Sequence, residues 1–180
     1  SRISIQQDAT APVLLTAVVQ TALNDLDLVV GETGAQVVVE ALPTVPGDAT
    51  QLGQLFQNLL SNALKFTRPN QPPGPPAQPA ARITVTTRPT KGRDAGIVIP
   101  PGDFDRLFHL IEIADNGIGF EPHQADRIFQ VFQRLHSRSI YEGTGIGLAI
   151  VKKVIENHSG YIEAVGCPGE GATFRILLPA

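Results

Sequence analysis

DATQLGQLFQNLLSNALKFT, residues 48–67, places Leu52, Leu55, Phe56, Leu59, Leu60, Ala63 and Leu64 along one stripe at helical spacing. Asp48 stands ahead of the run as an N-cap, its carboxylate able to accept one of the N–H groups that a first turn leaves unpaired. The reading predicts a helix from Asp48 to Thr67 with one strongly apolar side. Such a side must be buried against another element, and the flanking segments supply both strands and helices. Upstream, residues 13–30 repeat Leu14, Leu15, Val18, Val19, Ala22, Leu23 and Leu26 at the same period before Gly31 and Gly34, which predicts one amphipathic helix. QVVVEAL, residues 36–42, is short and β-branched, a strand stopped by Pro43.

Downstream, six prolines crowd residues 69–79 with little apolar beside them, so this stretch reads as a surface loop or linker. RITVTTR (82–88) and LFHLIEIA (107–114) read as two strands of one sheet, with a short strand extension at 97–99 inside the long connection between them. Pro122 opens a short helix to about Leu135, residues 136–147 form a polar loop, and a further helix runs from Leu148 to Asn157 with Gly160 as its stop. Strands at 161–165 and 173–178 complete the chain. No regular βα alternation or repeat is present, so the predicted class is α+β: a two-layer sandwich, one mixed β-sheet with about three helices packed on one face.

Composition narrows the possible functions. The 180 residues are 42% hydrophobic and 17% charged, enough for one compact domain with a real core. No apolar run approaches the roughly 20 residues that cross a bilayer. Cys167 is the lone cysteine, which excludes an internal disulfide and fits a reducing compartment, so a cytoplasmic location is expected. With 14 basic against 17 acidic residues the net charge of −3 offers no attraction to nucleic acid or acidic lipid. An anion must be held by local geometry. The start, Ser1-Arg2-Ile3-Ser4, lacks an initiator Met and a leader pattern, and a longer parent protein is expected.

Three constellations could do chemistry. Asn58, Asn62 and Lys65 lie at i, i+4 and i+7, projecting from one side opposite the leucine stripe. Two carboxamide oxygens there can ligate Mg²⁺, and the ammonium can meet phosphates that the cation bridges. Asp115-Asn116-Gly117-Ile118-Gly119 directly follows a strand, where the Asp115 carboxylate can accept from an exocyclic amine while Gly117 and Gly119 bring backbone close to a ligand. Gly143-Thr144-Gly145-Ile146-Gly147 opens the helix beginning at Leu148 and aims free N–H groups and a helix N-terminus at an anion. Each has a plainer explanation on its own: a solvated helix face, an Asp-Asn-Gly turn, a tight glycine turn.

Taken in order, NLLSNALKF (58–66), DNGIGF (115–120), IFQVFQRL (128–135) and GTGIGLAIVKKVIENHSG (143–160) resemble the N, G1, F and G2 boxes of sensor histidine kinases, in the GHKL superfamily with its Bergerat-type fold. GEGATFRILLP (169–179) is similar to that family's closing strand pair, and QRLHSR (133–138) most resembles phytochrome-like members. The resemblance covers residues 13–179 and implies a catalytic domain spanning 11–180, with 1–10 the end of an upstream dimerisation helix. It implies ATP and Mg²⁺ as ligands. Asn62 then matches the metal-binding Asn with Asn58 as helper, and Lys65 a phosphate contact. Asp115 matches the reader of the adenine amine, with Gly117 and Gly119 in the adenine-side turn. Phe129 and Phe132 match lid aromatics, and Arg134 a lid residue reaching the γ-phosphate. Gly143, Thr144, Gly145, Gly147 and Leu148 match the hinge and phosphate loop, and Thr173 a buried Thr beside the adenine pocket.

Phe66, Ser159 and Ala172 depart from the family pattern. None of His109, His123, His136 or His158 lies in a phosphoacceptor box, so the acceptor histidine is expected upstream, on a helical hairpin of the same or a partner protomer, with a response regulator served indirectly. The resemblance implies a domain that is monomeric in isolation, with no nucleic-acid partner. The superfamily's gyrase, chaperone and mismatch-repair ATPases place a water-activating Glu one turn before the metal-binding Asn. Asn58 occupies that position here, and a carboxamide is no base. A nucleotide-binding scaffold without transfer activity is the third alternative.

Overall fold

A computed structural model of the chain describes residues 11–65, 81–117, 119–121 and 144–180. Its main sheet has the strand order β2-β4-β5-β7-β6, built from β2 (Gln36–Val39), β4 (Arg82–Lys91), β5 (Leu107–Asp115), β6 (Tyr161–Cys167) and β7 (Gly171–Pro179). β2 runs parallel to β4 and every other pairing is antiparallel, so the sheet is mixed. Among the described residues four helices accompany it: α1 (Leu15–Asp25), α2 (Asp27–Thr33), α3 (Ala49–Lys65) and α4 (Thr144–Asn157). α3 lies between α1 and α4 and reaches β5, while α4 reaches β6. The α+β sandwich read from the pattern is the observed architecture. No helix among the described residues is long and apolar enough to cross a membrane.

The α3 stripe explains the layer. Leu52, Leu55, Phe56, Leu59, Leu60 and Leu64 are essentially inaccessible and meet Ile83, Val85, Ile111, Ile113, Phe174 and Ile176 from the sheet. Asp48 caps the helix as expected, its Oδ1 accepting from the Gln51 N–H at 3.0 Å. The expected helix over 13–30 is corrected. Residues Ala11–Leu14 form β1, paired antiparallel with β3 (Thr44–Gly47), and the helix then breaks at Leu26. β3 was not expected at all. Val13 faces Val45 across the pair, the Leu15 N–H donates to the Pro43 carbonyl at 3.2 Å, and Thr16 Oγ1 accepts from the Leu42 N–H at 2.9 Å. A partner thirty residues away draws the start of the apolar run out of its helix. Pro46 is tolerated because this ribbon has only two strands, leaving an outer edge.

No strand forms at 97–99. The connection instead folds over the sheet face opposite the helices, with 3₁₀ turns at Gly92–Asp94 and Pro101–Asp103. Ala95, Ile97 and Ile99 pack there on Phe108, Leu110 and Leu177, a second core divided from the first by the sheet. Arg175 fastens it, donating to Glu112 at 2.8 Å, to Glu163 at 3.1 Å and to the Ala95 carbonyl at 2.7 Å. Tyr161 donates its hydroxyl to Asp103 and meets Phe108 edge-on, ring centroids 6.0 Å apart. The last helix also starts earlier than read, at Thr144 rather than Leu148, so the backbone of the glycine-alternating stretch forms its first turn.

Candidate functional site

Asn58, Asn62 and Lys65 fall on α3 as expected, with one correction. The stripe does not point away from the leucines. Asn62 is only 5% exposed and sits at the flank of the apolar face, Asn58 is half-buried and Lys65 is exposed at the helix end. A helix face graded from solvent to core puts the Asn62 carboxamide inside the protein. Among the described residues no hydrogen bond holds that carboxamide, an arrangement that leaves its oxygen available to a ligand.

Asp115 ends β5. Ile111 and Ile113 alternate with Glu112 and lie in the core beneath the helices, so the same period directs Asp115 toward the helix layer. Its Oδ1 accepts from the Gly117 N–H at 2.8 Å, closing an Asx-type turn. Burial pushes the Asp115 carboxyl up to about 6, and backbone N–H groups of Gly117 and Ala172 pull against that rise. The result is a carboxylate that ionises near neutrality, held by two donors and still partly open.

Close backbone packing shapes the turn around it. Gly119 has φ +68°, and a Cβ there would lie 2.1 Å from the Cys167 carbonyl oxygen. Gly171 has φ +125°, and a Cβ there would lie 2.0 Å from the Asp115 carbonyl oxygen. Neither position admits a side chain, so the turn after β5 presses directly on the β6–β7 turn. Gly171 and the Ala172 N–H were not singled out in the sequence, although Gly169-Glu170-Gly171 carried the cue of two glycines between strands.

Thr173 does not join this group. Its neighbours Ala172 and Phe174 lie in the core beneath the helices, so strand alternation sends Thr173 to the opposite face of the sheet. Leu148 lies in the core, 4% exposed, on α4. Gly145 and Gly147 fall in the first turn of α4, which starts at Thr144. Arg134, Phe129, Phe132 and Gly143, with the expected helix at 122–135, the loop at 136–143 and the proline-rich stretch, lie outside the described residues. Since α3 contacts both β5 and α4, the three motif-bearing elements are neighbours. A groove of about 390 Å³ between α1 and α3, lined by Ala17, Val18, Thr21, Ala49, Thr50 and Gly53 among others, contains none of the motif residues.

Known proteins resemble this chain in sequence and in fold. The family described as "Histidine kinase-, DNA gyrase B-, and HSP90-like ATPase" matches residues 47–180. Cyanobacterial phytochrome A of Nostoc sp. is 42% identical over 160 residues, 88% of this chain and 18% of that protein, so the chain spans under a fifth of this relative's length. Among solved structures, a mycobacterial sensor histidine kinase, MprB, superposes with a TM-score of 0.67 at 27% identity, covering 94% of this chain and 97% of that one. Full-length ShkA in complex with AMPPNP also gives 0.67, at 25% identity, over 96% of this chain and 32% of that one. The fold, the ordered motifs and a family match over most of its length lead to one assignment: the chain belongs to the histidine kinase-, DNA gyrase B- and HSP90-like ATPases, on the sensor histidine kinase side.

Proposed function

We propose that this domain binds Mg·ATP between α3, the end of β5 and the start of α4, and transfers the γ-phosphoryl group to a histidine on an adjacent dimerisation hairpin. The observation that carries the reading is the Asp115 carboxylate, aimed at the helix layer and held by two backbone N–H groups beside the helix that buries Asn62. An acceptor so placed suits the exocyclic amine of adenine. The AMPPNP complex of the similar ShkA supports a nucleotide as the ligand.

The donor set fits a hard cation. Carboxamide oxygens are hard neutral donors that suit a cation such as Mg²⁺ when it arrives with phosphates. Asn62 with Asn58 would hold it, and it would neutralise charge on the phosphates. Lys65 and Arg134 add fixed positive charge, while N–H groups of the Gly143, Gly145 and Gly147 stretch receive phosphate oxygens at a helix N-terminus. Positioning and charge neutralisation are what phosphoryl transfer chiefly asks of a protein. No general base is required here because the acceptor imidazole is itself the nucleophile. Asn58 at the position of a water-activating Glu argues against rapid hydrolysis.

Labelled ATP mixed with this chain, alone and with the dimerisation hairpin of its parent protein, tests the reading. Acid-labile label on the hairpin and slow phosphate release by the chain alone are expected. Rapid release by the chain alone would instead make it a hydrolase, and tight Mg·ATP binding without label would make it a nucleotide sensor. A receiver domain added to the labelled hairpin is expected to remove the label.

A further inference from the structure

We propose that Asn116 is a positioning residue for the nucleotide base: its side chain completes the β4–β5 ladder in place of its own carbonyl, and so sets where the Asp115 carboxylate points. The proposal rests on the reading of Asp115 as the base contact. The last regular pair of the two strands is Ile83 with Asp115. At the next step, Arg82 with Asn116, an antiparallel ladder would exchange two backbone hydrogen bonds. Only one of them is backbone to backbone, from the Asn116 N–H to the Arg82 carbonyl at 3.3 Å. The other runs from the Arg82 N–H to Asn116 Oδ1 at 2.8 Å.

The substitution has a mechanical consequence. With Oδ1 serving as the acceptor, the Arg82 N–H does not depend on the Asn116 carbonyl, and the chain can leave β5 one residue after Asp115 without stranding that N–H. That departure brings the Gly117 N–H back to Asp115 Oδ1. On the other side, Gly171 backs onto the Asp115 carbonyl and the Asn116 Cα with no room for a side chain. The base-reading turn is therefore pinned from two directions, by a side-chain amide against β4 and by bare backbone against β7. A residue lacking an oxygen at that reach would leave the Arg82 N–H unpaired or make the end of β5 shift to give it another acceptor, and either outcome disturbs Asp115.

Base discrimination tests this. Inosine triphosphate carries an oxo group where adenine has its amine, so the ratio of its Kd to that of ATP, each with Mg²⁺, reads the Asp115 contact apart from the phosphate end. The chain as it stands is expected to prefer ATP, and Asp115→Asn to lose that preference. If the unaltered chain shows no preference, or Asp115→Asn keeps it, the base-contact reading fails, whatever Asn116 does. Given that preference, Asn116→Ala is expected to reduce it about tenfold, the equivalent of one lost polar contact. Asn116→Asp, which keeps an acceptor for the Arg82 N–H, is expected to restore it. Equal weakening of both nucleotides by Asn116→Ala, or an unchanged ratio, would overturn the proposal. Should Asn116→Ala not fold, Asn116→Ser offers an oxygen too short to reach Arg82. Faster hydrogen exchange at the Arg82 amide together with a reduced ratio is then the expected pair, and a wild-type ratio with fast exchange overturns it.

Discussion

The Nε2 of His158 accepts a hydrogen bond from the backbone N–H of Asp48 at 3.1 Å, while its Nδ1 lies 2.8 Å from the Val154 carbonyl. Those partners define a neutral ring with the proton on Nδ1. One imidazole thus caps the end of α4 and joins it to the residue that caps the start of α3. A Cβ on Gly47 would stand 2.7 Å from the ring, so the glycine makes room for it. The Asn157 carboxamide, donating to Gln51 Oε1 at 3.1 Å, reinforces the same junction.

Removing the ring strands the Asp48 N–H and takes one of two donors from the Val154 carbonyl, which keeps the His158 backbone N–H at 3.1 Å. His158→Ala should therefore lower unfolding stability by about 2 kcal/mol, two hydrogen bonds at roughly 1 kcal/mol each. Urea denaturation at pH 7.5 measures it. A loss under about 0.5 kcal/mol would show that water replaces both contacts.

Just past His158 the chain takes a left-handed turn on a residue poorly suited to it. Ser159 has φ +57°, with its N–H on the Glu156 carbonyl and the Gly160 N–H on the Ile155 carbonyl, the bonding of a Schellman motif. Glycine usually holds that place. Ser159→Gly should raise stability by about 0.5–1 kcal/mol, the relief of left-handed strain less the added freedom of the unfolded chain. The same denaturation series measures the gain.

Asp115 carries a conflict between folding and binding. Its carboxyl ionises at about 6 in the folded protein, against an ordinary value of 3.8. The folded chain therefore binds this proton more tightly than the unfolded one, a contribution to stability that is full below pH 3.8 and lost as the pH rises through about 6. Asp115→Asn should accordingly raise the thermal midpoint at pH 7.5, by the equivalent of about 3 kcal/mol at most, and the difference should close toward pH 4. ATP affinity should move the other way, falling in the wild-type chain as the pH drops through about 6 and lying low at every pH in Asp115→Asn. Thermal melts and calorimetry from pH 4 to 8 check both halves.

Alanine at Gly171 places a methyl group against the Asp115 carbonyl oxygen at a backbone angle that side chains rarely adopt. Gly171→Ala should cost about 3 kcal/mol or more, with strain and overpacking acting together. Gly169→Ala is the control. It shares a positive φ, +78°, but its Cβ would meet open space, so a loss of about 1 kcal/mol is expected.

Where local pattern and tertiary need coincide, the chain could be read directly. α3 was legible because Asp48 and the leucine period both speak for a helix, and β5 because its short apolar run, broken only by His109 and Glu112, suits a strand buried on both faces. Non-local causes hid the rest. β1 depends on Val45 and Leu42, which periodicity around Val13 cannot report. Ile97 and Ile99 are β-branched for packing against Phe108 and Leu177, not for pairing. Around the candidate site, the directions of side chains were not legible. Thr173 was misplaced by one step of strand parity, and Asn62 was read as lying opposite the leucine stripe because helical spacing alone does not show how wide the buried face is.

The parallel pairing of β2 with β4 makes the chain between Val39 and Arg82 one closed loop, and that loop contains α3 together with the six-proline stretch. Closure entropy grows only with the logarithm of loop length, so each doubling of such a loop disfavours the fold by about 0.6 kcal/mol. Prolines reduce the freedom that the unfolded loop has to surrender. The connection after Lys65 is thus a place where length can change between generations of the protein almost without thermodynamic penalty, while the helix that carries Asn58 and Asn62 stays seated on its sheet.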